Sequence, residues 1–371
     1  FATNITVSGD DANVAQANTL AATESLGTVS YDVSGTVAEI VNVGNDAGIN
    51  AATNITATGN ANVAQAVTIL ASTNSGTKSY QINDTAANLA TVVAGEVAAI
   101  EAATGTVTSS SPATAAQATA LAALTKAVVY SVSGTTAAIS ATTVTAGALN
   151  EAVDVTATGT STYAQAAGLL AATNSGDTVV AAASMAASDA KSLVFTANDT
   201  VTALTVTGDT VLSDAVTIAA LDTGTNIGTL TIAKITGSAT DLAAAESAVL
   251  NLGTSVVATD AVTIAQITGF AGTVDVYSIT DSYNNLMVDS DVTGAVDAAA
   301  VITAAVTITV NSGALTADQA VDLRAVDGAN AATNFVYSIV DNDKNILDAI
   351  GGSAAEKAAL TNATSIKGMD G

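Results

Sequence analysis

The chain has 371 residues, and its 33 Asp and Glu against 8 Lys and Arg give a formal net charge of −25. This charge repels nucleic acid and anionic lipid, so it excludes nucleic-acid binding and makes divalent cations the favoured small partners. The chain contains no Cys and no His, which excludes disulfides, the usual zinc-ligand sets and catalysis by a cysteine or histidine side chain.

The first predicted elements are a short strand and a helix. The strand is the alternating, β-branched segment ITVS at residues 5–8, and Gly9 permits a sharp exit from it. An Ala-rich run with helical spacing follows, and Asn13 is its predicted N-cap. The phrase AQA of this helix returns at separations of 49, 52 and 48 residues, around Gln16, Gln65, Gln117 and Gln165. A fixed period of about 50 residues is typical of stacked repeat proteins.

The second half of each repeat predicts another strand, a Thr helix cap and a short Ala-rich helix, as in TVSYDVSGTVAEIV. Strand positions Ile5, Tyr31 and Ile55 lie 26 and 24 residues apart, so the basic unit is a strand–helix turn of about 25 residues. Strand–helix–strand crossovers produce parallel strands with right-handed connections. The predicted fold is therefore an α/β repeat, an elongated right-handed solenoid with a parallel sheet, more β-rich in its C-terminal half.

Aromatic residues support the register of the repeats. Tyr31, Tyr80 and Tyr130 lie 49 and 50 residues apart. A column of such rings has two interpretations, a core stack or a stacking platform for sugars. Because each Tyr has the same parity as flanking Val residues of its strand, core packing is favoured. Looser equivalents of the three are Phe195, Tyr277 and Tyr337.

The repeats are regular only in the first half of the chain. Double units of about 50 residues start near residues 1, 51, 101 and 149, and this regular region covers residues 1–175. Residues 176–371 have irregular spacing, which predicts degenerate repeats or a second, β-rich domain. The repeat pattern returns at residues 303–350, where a helix, a Tyr-bearing strand and another helix follow one another.

No combination of residues in the sequence predicts a catalytic site. Acid–base and nucleophilic catalysis need a base beside a nucleophile or a pair of carboxylates in different environments, and neither recurs here. We therefore expect no enzymatic activity. A polysaccharide lyase or hydrolase would require a Lys such as Lys191 or Lys234 buried beside a carboxylate.

One acidic loop suggests a weak calcium site. In DSDVTGAVD, the potential ligands hold the first, third, fifth and ninth positions of a calcium loop, but the twelfth position is Ala300 in place of Glu. A solvated acidic loop is the alternative, and no other cofactor is indicated. A weaker D-x-D-x-N match occurs at Asp341, Asp343 and Asn345. The four candidate calcium ligands are Asp289, Asp291, Thr293 and Asp297.

Two strand features have a structural and a functional interpretation. Asn4 and Asn54 are sequons that enter equivalent strands, where a backbone-capping role is simpler than a glycan. Thr6 and Thr56 lie on outward strand faces, where Thr is a common solvent-side residue. The alternative is that these hydroxyls meet a carbohydrate, ice or a mineral.

The phrases ITATGNANVAQAVTILAST and SYQINDTAANLA resemble the Ala/Thr-rich tandem repeats of giant bacterial cell-surface and adhesin-like exoproteins, of the cyanobacterial type. The resemblance covers residues 1 to about 175. It implies an extracellular or cell-surface location and a structural or adhesive role, and it carries over no catalytic residue.

The sequence thus predicts a structural protein, the subunit of a filament, sheath or surface layer (S-layer). An uncapped solenoid exposes strand edges that can pair with another chain, and the predicted assembly edge is Phe1, Asn4, Ile5 and Val7. The partner is then a second copy of the chain. The alternative is an adhesin stalk or glycan-binding module. The apolar stretch at residues 298–310 is shorter than the roughly 20 residues a bilayer requires, so we expect no membrane insertion.

Overall fold

A computed structural model describes residues 4–23, 27–141, 146–222, 224–267, 270, 274–287, 304–326 and 334–369. The chain forms two compact units of α/β structure, in which short strands alternate with short helices. Unit 1 comprises Phe1–Ala183 and Val194–Thr202. Unit 2 comprises Ser184–Leu193 and Ala203–Gly371.

Unit 1 carries the regular repeats. Its helices are α1 (Val14–Ala21), α2 (Val37–Ile40), α3 (Asp46–Ala51), α4 (Val63–Ala71), α5 (Ala86–Ala90), α6 (Ala94–Glu101), α7 (Ala115–Ala122), α8 (Thr136–Ile139), α9 (Ala146–Asn150) and α10 (Tyr163–Leu170), with a 3-10 turn at Val43–Asn45. Its strands are β1 (Ile5–Thr6), β2 (Val29–Ser30), β3 (Val33–Thr36), β4 (Ile55–Ala61), β5 (Lys78–Asp84), β6 (Val107–Ser109), β7 (Val128–Val129), β8 (Val132–Thr135) and β9 (Val155–Ser161), together with the first residues of β10 (Thr178–Ala186) and β11 (Asp199–Val211).

Unit 2 contains the remaining residues of β10 and β11 and continues the alternation. Its other strands are β12 (Ile227–Gly237), β13 (Val256–Ala258), β14 (Ile279–Asp281), β15 (Thr307–Val310), β16 (Asn334–Val336), β17 (Ser338–Asn342) and β18 (Ser365–Met369). Its helices are α11 (Ala187–Ala190), α12 (Leu212–Ala219), α13 (Ala239–Ala244), α14 (Ser247–Leu250), α15 (Ile264–Ile267), α16 (Tyr283–Met287), α17 (Ala317–Val326), α18 (Asp343–Gly351) and α19 (Ala354–Asn362).

The strands pair in parallel, as the predicted crossovers require. In unit 1 the sheets have the orders β1–β2, β3–β4–β5–β6–β7 and β8–β9–β10. In unit 2 the orders are β11–β12–β13, β14–β15–β16 and β17–β18. Strands that pair within a sheet therefore follow one another in the sequence. Each connection between two paired strands contains the helix or helices that a parallel crossover needs.

Two kinds of turn alternate through most of the described residues, and β10 is an exception because only the short helix α11 follows it. An A turn is a strand followed by one helix, as in β4 and α4, and a B turn is a strand followed by two helices, as in β5, α5 and α6. The expectation of one helix in every turn was therefore wrong for the B turns. The sequence did not predict the second helix because this helix is short. In addition, α3 begins within the Asn- and Gly-rich segment VGNDAGIN, whose composition does not favour a helix.

The A turns explain the recurring Gln. Gly59 lies within β4, where the pairing with β5 shifts register, and has φ +85°, a left-handed conformation in which Gly carries no steric penalty. Asn62 then caps α4: its Oδ1 accepts the Gln65 amide at 2.8 Å, and Gln65 Oε1 accepts the Asn62 amide at 2.9 Å. The recurring Gln is thus the third helical residue of a capping box. The other boxes of the AQA phrase are Asn13 with Gln16, Thr114 with Gln117 and Thr162 with Gln165.

The B turns contain the Tyr column. Tyr80 is 2% exposed, and its hydroxyl donates to the Ala99 carbonyl, at the end of α6, at 2.6 Å. The ring therefore packs in the core while the hydroxyl satisfies a helix-end carbonyl. Core packing is confirmed for these tyrosines, whereas Phe195 is only half-buried. The other buried members are Tyr31, Tyr130, Tyr277 and Tyr337.

Candidate functional site

The predicted assembly edge lies on β1, the first described strand. The amides of Ile5 and Val7 donate to carbonyls of Thr28 and Ser30 at 2.9 and 3.0 Å, so these two residues are engaged with β2. Alternate residues of a parallel strand bond to opposite sides, and the backbone groups of Thr6 therefore face the open edge. Asn4, the residue before β1, bonds to the residue before β2: its Oδ1 accepts the amide and hydroxyl of Thr28. Phe1 lies outside the described residues.

Beside this edge, α1 forms the wall of a groove of about 440 Å³. Val7 and Leu20 provide apolar surface to the groove, and Val7 is 37% exposed. Asp10 and Asp11 make its rim acidic. Residues 1–77 contain no Lys or Arg, so no basic residue of this segment offsets these charges. We call this surface, formed by β1 and the groove, the N-face.

The last described turns present a second surface with exposed apolar side chains. On α18, Leu347 is 64% and Ile350 55% exposed. All five residues of β18 are exposed, and among them Ile366 is 43% and Met369 51% exposed. Within the described residues β18 pairs only with β17, so its other edge is open. We call this surface, formed by α18 and β18, the C-face.

A carboxylate at the end of a B strand holds the helix of the preceding A turn. Asp84 accepts the Val63 amide, the first of α4, at 2.9 Å, and the Thr85 amide and Asn88 Nδ2 at 2.7 Å. Burial of Asp84 opposes ionisation, but the three hydrogen bonds outweigh it and lower the pKa of the carboxyl. The sequence did not predict this clamp. The same bonds are made by Asp281 with Ile264, Ser282 and Asn285, and by Asp341 with Ala317, Asn342 and Asn345.

The clamp explains the weaker of the two calcium-like patterns. Asp341 is 7% exposed and binds the amide of Ala317, which together with the Asn342 amide and Asn345 holds its pKa below the usual range. Its oxygens therefore bind amide donors, and the D-x-D-x-N spacing reflects a helix N-terminus. Among the described residues no three acidic side chains converge as a metal site. The stronger candidates, Asp289, Asp291, Thr293 and Asp297, lie outside the described residues.

The two lysines considered for a lyase or hydrolase make surface ion pairs. Lys191 Nζ lies 2.8 Å from Asp214, with the two side chains 38% and 25% exposed. Lys234 Nζ lies 2.7 Å from Asp209, with side chains 36% and 67% exposed. Neither lysine is buried beside its carboxylate, which was the condition for that alternative.

The sequon side chains are engaged in the ladder between turns. Asn54 Oδ1 accepts the amide and hydroxyl of Thr77 at 2.9 Å, and Asn54 Nδ2 donates to Asp32 at 2.9 Å. This supports the capping interpretation of Asn54. The outward hydroxyl of Thr58 likewise donates to the Gly35 carbonyl at 3.1 Å. Part of the Thr surface thus stabilises neighbouring strands.

No helix in the described ranges is both long and apolar enough to span a bilayer. The chain matches no protein-family model, and no curated protein sequence matches it either.

Proposed function

We propose that this chain is an extracellular structural protein whose turns stack as a right-handed solenoid and whose copies assemble end to end into a filament, sheath or surface layer. The observation that carries the proposal is the open edge of β1, where the Thr6 backbone groups have no strand partner among the described residues. Unpaired strand edges bind further strands, and head-to-tail contacts that do not close generate fibres.

Composition supports the location and the chemistry of this proposal. A net charge of −25 keeps single chains apart at low ionic strength and is screened in salt water, where the Debye length falls to about 8 Å. The core is built from Ala, Val, Ile, Leu and buried Tyr, without Cys. Such a chain needs no disulfide when its turns bury one another.

Electron microscopy and sedimentation velocity of the purified chain test the proposal. We expect filaments or sheets that grow with protein concentration and salt. Thr6→Pro removes only the outward amide of β1, so it should abolish growth while the fold persists. Thr6→Val, which keeps the amide, is the matched control and should assemble. A monomer that binds a glycan saturably would instead favour the adhesin alternative.

A further inference from the structure

The B turns differ at one position of their strand, four residues after the buried Tyr. In three turns this position is an Asp, and in two others it is a Gly. Gly237 holds the same position in β12, because Ser238 after it caps α13 as Thr85 caps α5. The three Asp are Asp84, Asp281 and Asp341, and the two Gly that follow a Tyr are Gly35 and Gly134.

In the Asp turns the carboxylate clamp binds its three donors in one arrangement. At Asp341, Oδ2 accepts only the Ala317 amide, the first of α17, whereas Oδ1 accepts the Asn342 amide and Asn345 Nδ2. Asp84 and Asp281 divide their donors in the same way. An ionised carboxylate is purely an acceptor, so the charged form suits three donors. A proton binds more readily to Oδ2, which accepts one bond, and therefore weakens the bond to the A helix.

In the Gly turns an apolar contact takes the place of the clamp. A Cβ atom added to Gly35 would lie 2.6 Å from Val14 Cγ2, and one added to Gly237 would lie 3.4 Å from Leu212 Cβ. Val14 and Leu212 are the first residues of α1 and α12, the helix position that the clamps bind in the Asp turns. We call these two pairs the glycine contacts. They contain no titratable side chain, so a change of pH leaves them intact.

Charged neighbours contribute little to the clamps. Around Asp281, the elements α15, α16, β13 and β15 carry no charged residue, and Tyr283 is their only titratable one. No charged residue contributes to the lowered pKa of Asp84 or Asp341. The charged residues on the elements around Asp84 are Lys78, Glu96 and Glu101. Those around Asp341 are Asp318, Asp322 and Arg324 on α17, Asp343, Lys344 and Asp348 on α18, and Lys367 on β18.

The clamps are unevenly distributed between the two units. In unit 1 the Asp84 turn lies between the turns of Gly35 and Gly134, whereas in unit 2 Asp281 and Asp341 belong to successive B turns. Asp281 and Asp341 are also only 5% and 7% exposed. The stability of stacked turns is approximately a sum over contacts between neighbours. Loss of two successive clamps therefore weakens unit 2 around α15 and α17 more than loss of one clamp weakens unit 1.

We propose that the carboxylate clamps form an acid-sensitive switch within the fold. In acid, α4, α15 and α17 detach at their N-termini, while α1 and α12 stay attached through the glycine contacts. The proton comes from solvent, and its release restores the clamp. The switch acts within a single chain, so it does not depend on the proposed assembly.

Hydrogen exchange of the full chain at pH 7 and pH 2, in the presence of EDTA, tests the switch. Each exchange rate is divided by the intrinsic rate at the same pH. The lower pH lies below the unfolded pKa of Asp, about 3.9, so the contribution of a carboxylate with a lowered pKa is lost there. We expect the protection of α17 to fall about tenfold more than that of α12, the loss of one charge-assisted bond.

α12 is the appropriate control because its own acidic groups stabilise it little. Asp214 of α12 and Asp209 before it pair with lysines at the surface, where such pairs contribute little. The neighbouring helix α13 is unsuitable, because Asp260 accepts the Ala239 amide at its first residue.

Two variants assign the acid effect to the clamp. Asp341→Asn places an NH2 group opposite the Ala317 amide, so α17 should already be less protected at pH 7 and should lose no further protection in acid. Asp322→Asn, at an exposed carboxylate of the same helix, should behave like wild type. Equal losses in α12 and α17 of wild type would overturn the proposal, and this comparison needs no variant to fold. A full acid effect in Asp341→Asn would overturn it as well.

Discussion

Replacing Asp84 with Asn tests the carboxylate clamp that links consecutive turns. An Asn side chain can keep the bonds from Thr85 and Asn88 to one oxygen, but its NH2 group then faces the Val63 amide. The substitution therefore loses one charge-assisted hydrogen bond and leaves a half-buried donor unsatisfied. Charge-assisted bonds contribute about 1.5–3 kcal/mol, and we expect a loss near 2 kcal/mol because Asp84 is half-buried.

The pH dependence gives the sharper assay. The pKa of Asp84 is lowered in the folded chain, so its contribution is complete above the unfolded value of about 3.9 and is lost as the pH falls through the folded value. Hydrogen exchange of the Val63 amide in wild type and Asp84→Asn should differ about 30-fold at pH 7, and urea unfolding should differ by the same free energy. The two proteins should converge at low pH. A gap that is absent, or equal at pH 7 and pH 2, would refute the clamp.

Two further predictions concern the repeat core. Tyr80→Phe removes the donor to the Ala99 carbonyl and should cost about 1–2 kcal/mol in urea unfolding, whereas Tyr163→Phe, at a half-buried ring with no hydroxyl bond in the described structure, should cost under 0.5 kcal/mol. Equal losses would contradict the role of the hydroxyl. Gly59→Ala, at φ +85°, should destabilise by about 1 kcal/mol, and Gly95→Ala, in α6, should stabilise by a similar amount. A Gly59→Ala variant that melts above wild type, or a Gly95→Ala variant that melts below it, would refute the conformational argument.

Local signals in the sequence predicted much of the A turn. Asn13 caps α1 as predicted, and Asn62 caps α4 in the same way, because a side-chain cap acts within three residues and leaves a readable spacing. Burial of the Tyr column followed from strand parity. The segment TVTGDTVLSDAVTIAA repeats TATGNANVAQAVTILA closely enough to have predicted the A turn of β11 and α12, with Gly208 at φ +75°.

Contacts between distant residues could not be predicted in the same way. Asp84 binds an amide 21 residues earlier, and only the stacking of turns brings the two together. Its pattern, an Asp followed four residues later by Asn, also matches the spacing of a weak calcium ligand set, as at Asp341 and Asn345. The exposure of Leu347 and Ile350 on the C-face could not be predicted either. It depends on which helices pack against α18, whereas the sequence of α18 shows only an ordinary amphipathic pattern.

Sedimentation velocity of the wild-type chain across concentration in 1 M NaCl tests the central claim most directly. At this ionic strength the Debye length is about 3 Å, so repulsion between copies of charge −25 is screened and the faces can meet. End-to-end assembly predicts a series of species that grows without a preferred size as the concentration rises. A single monomeric species at every concentration, with or without added calcium, would contradict the account.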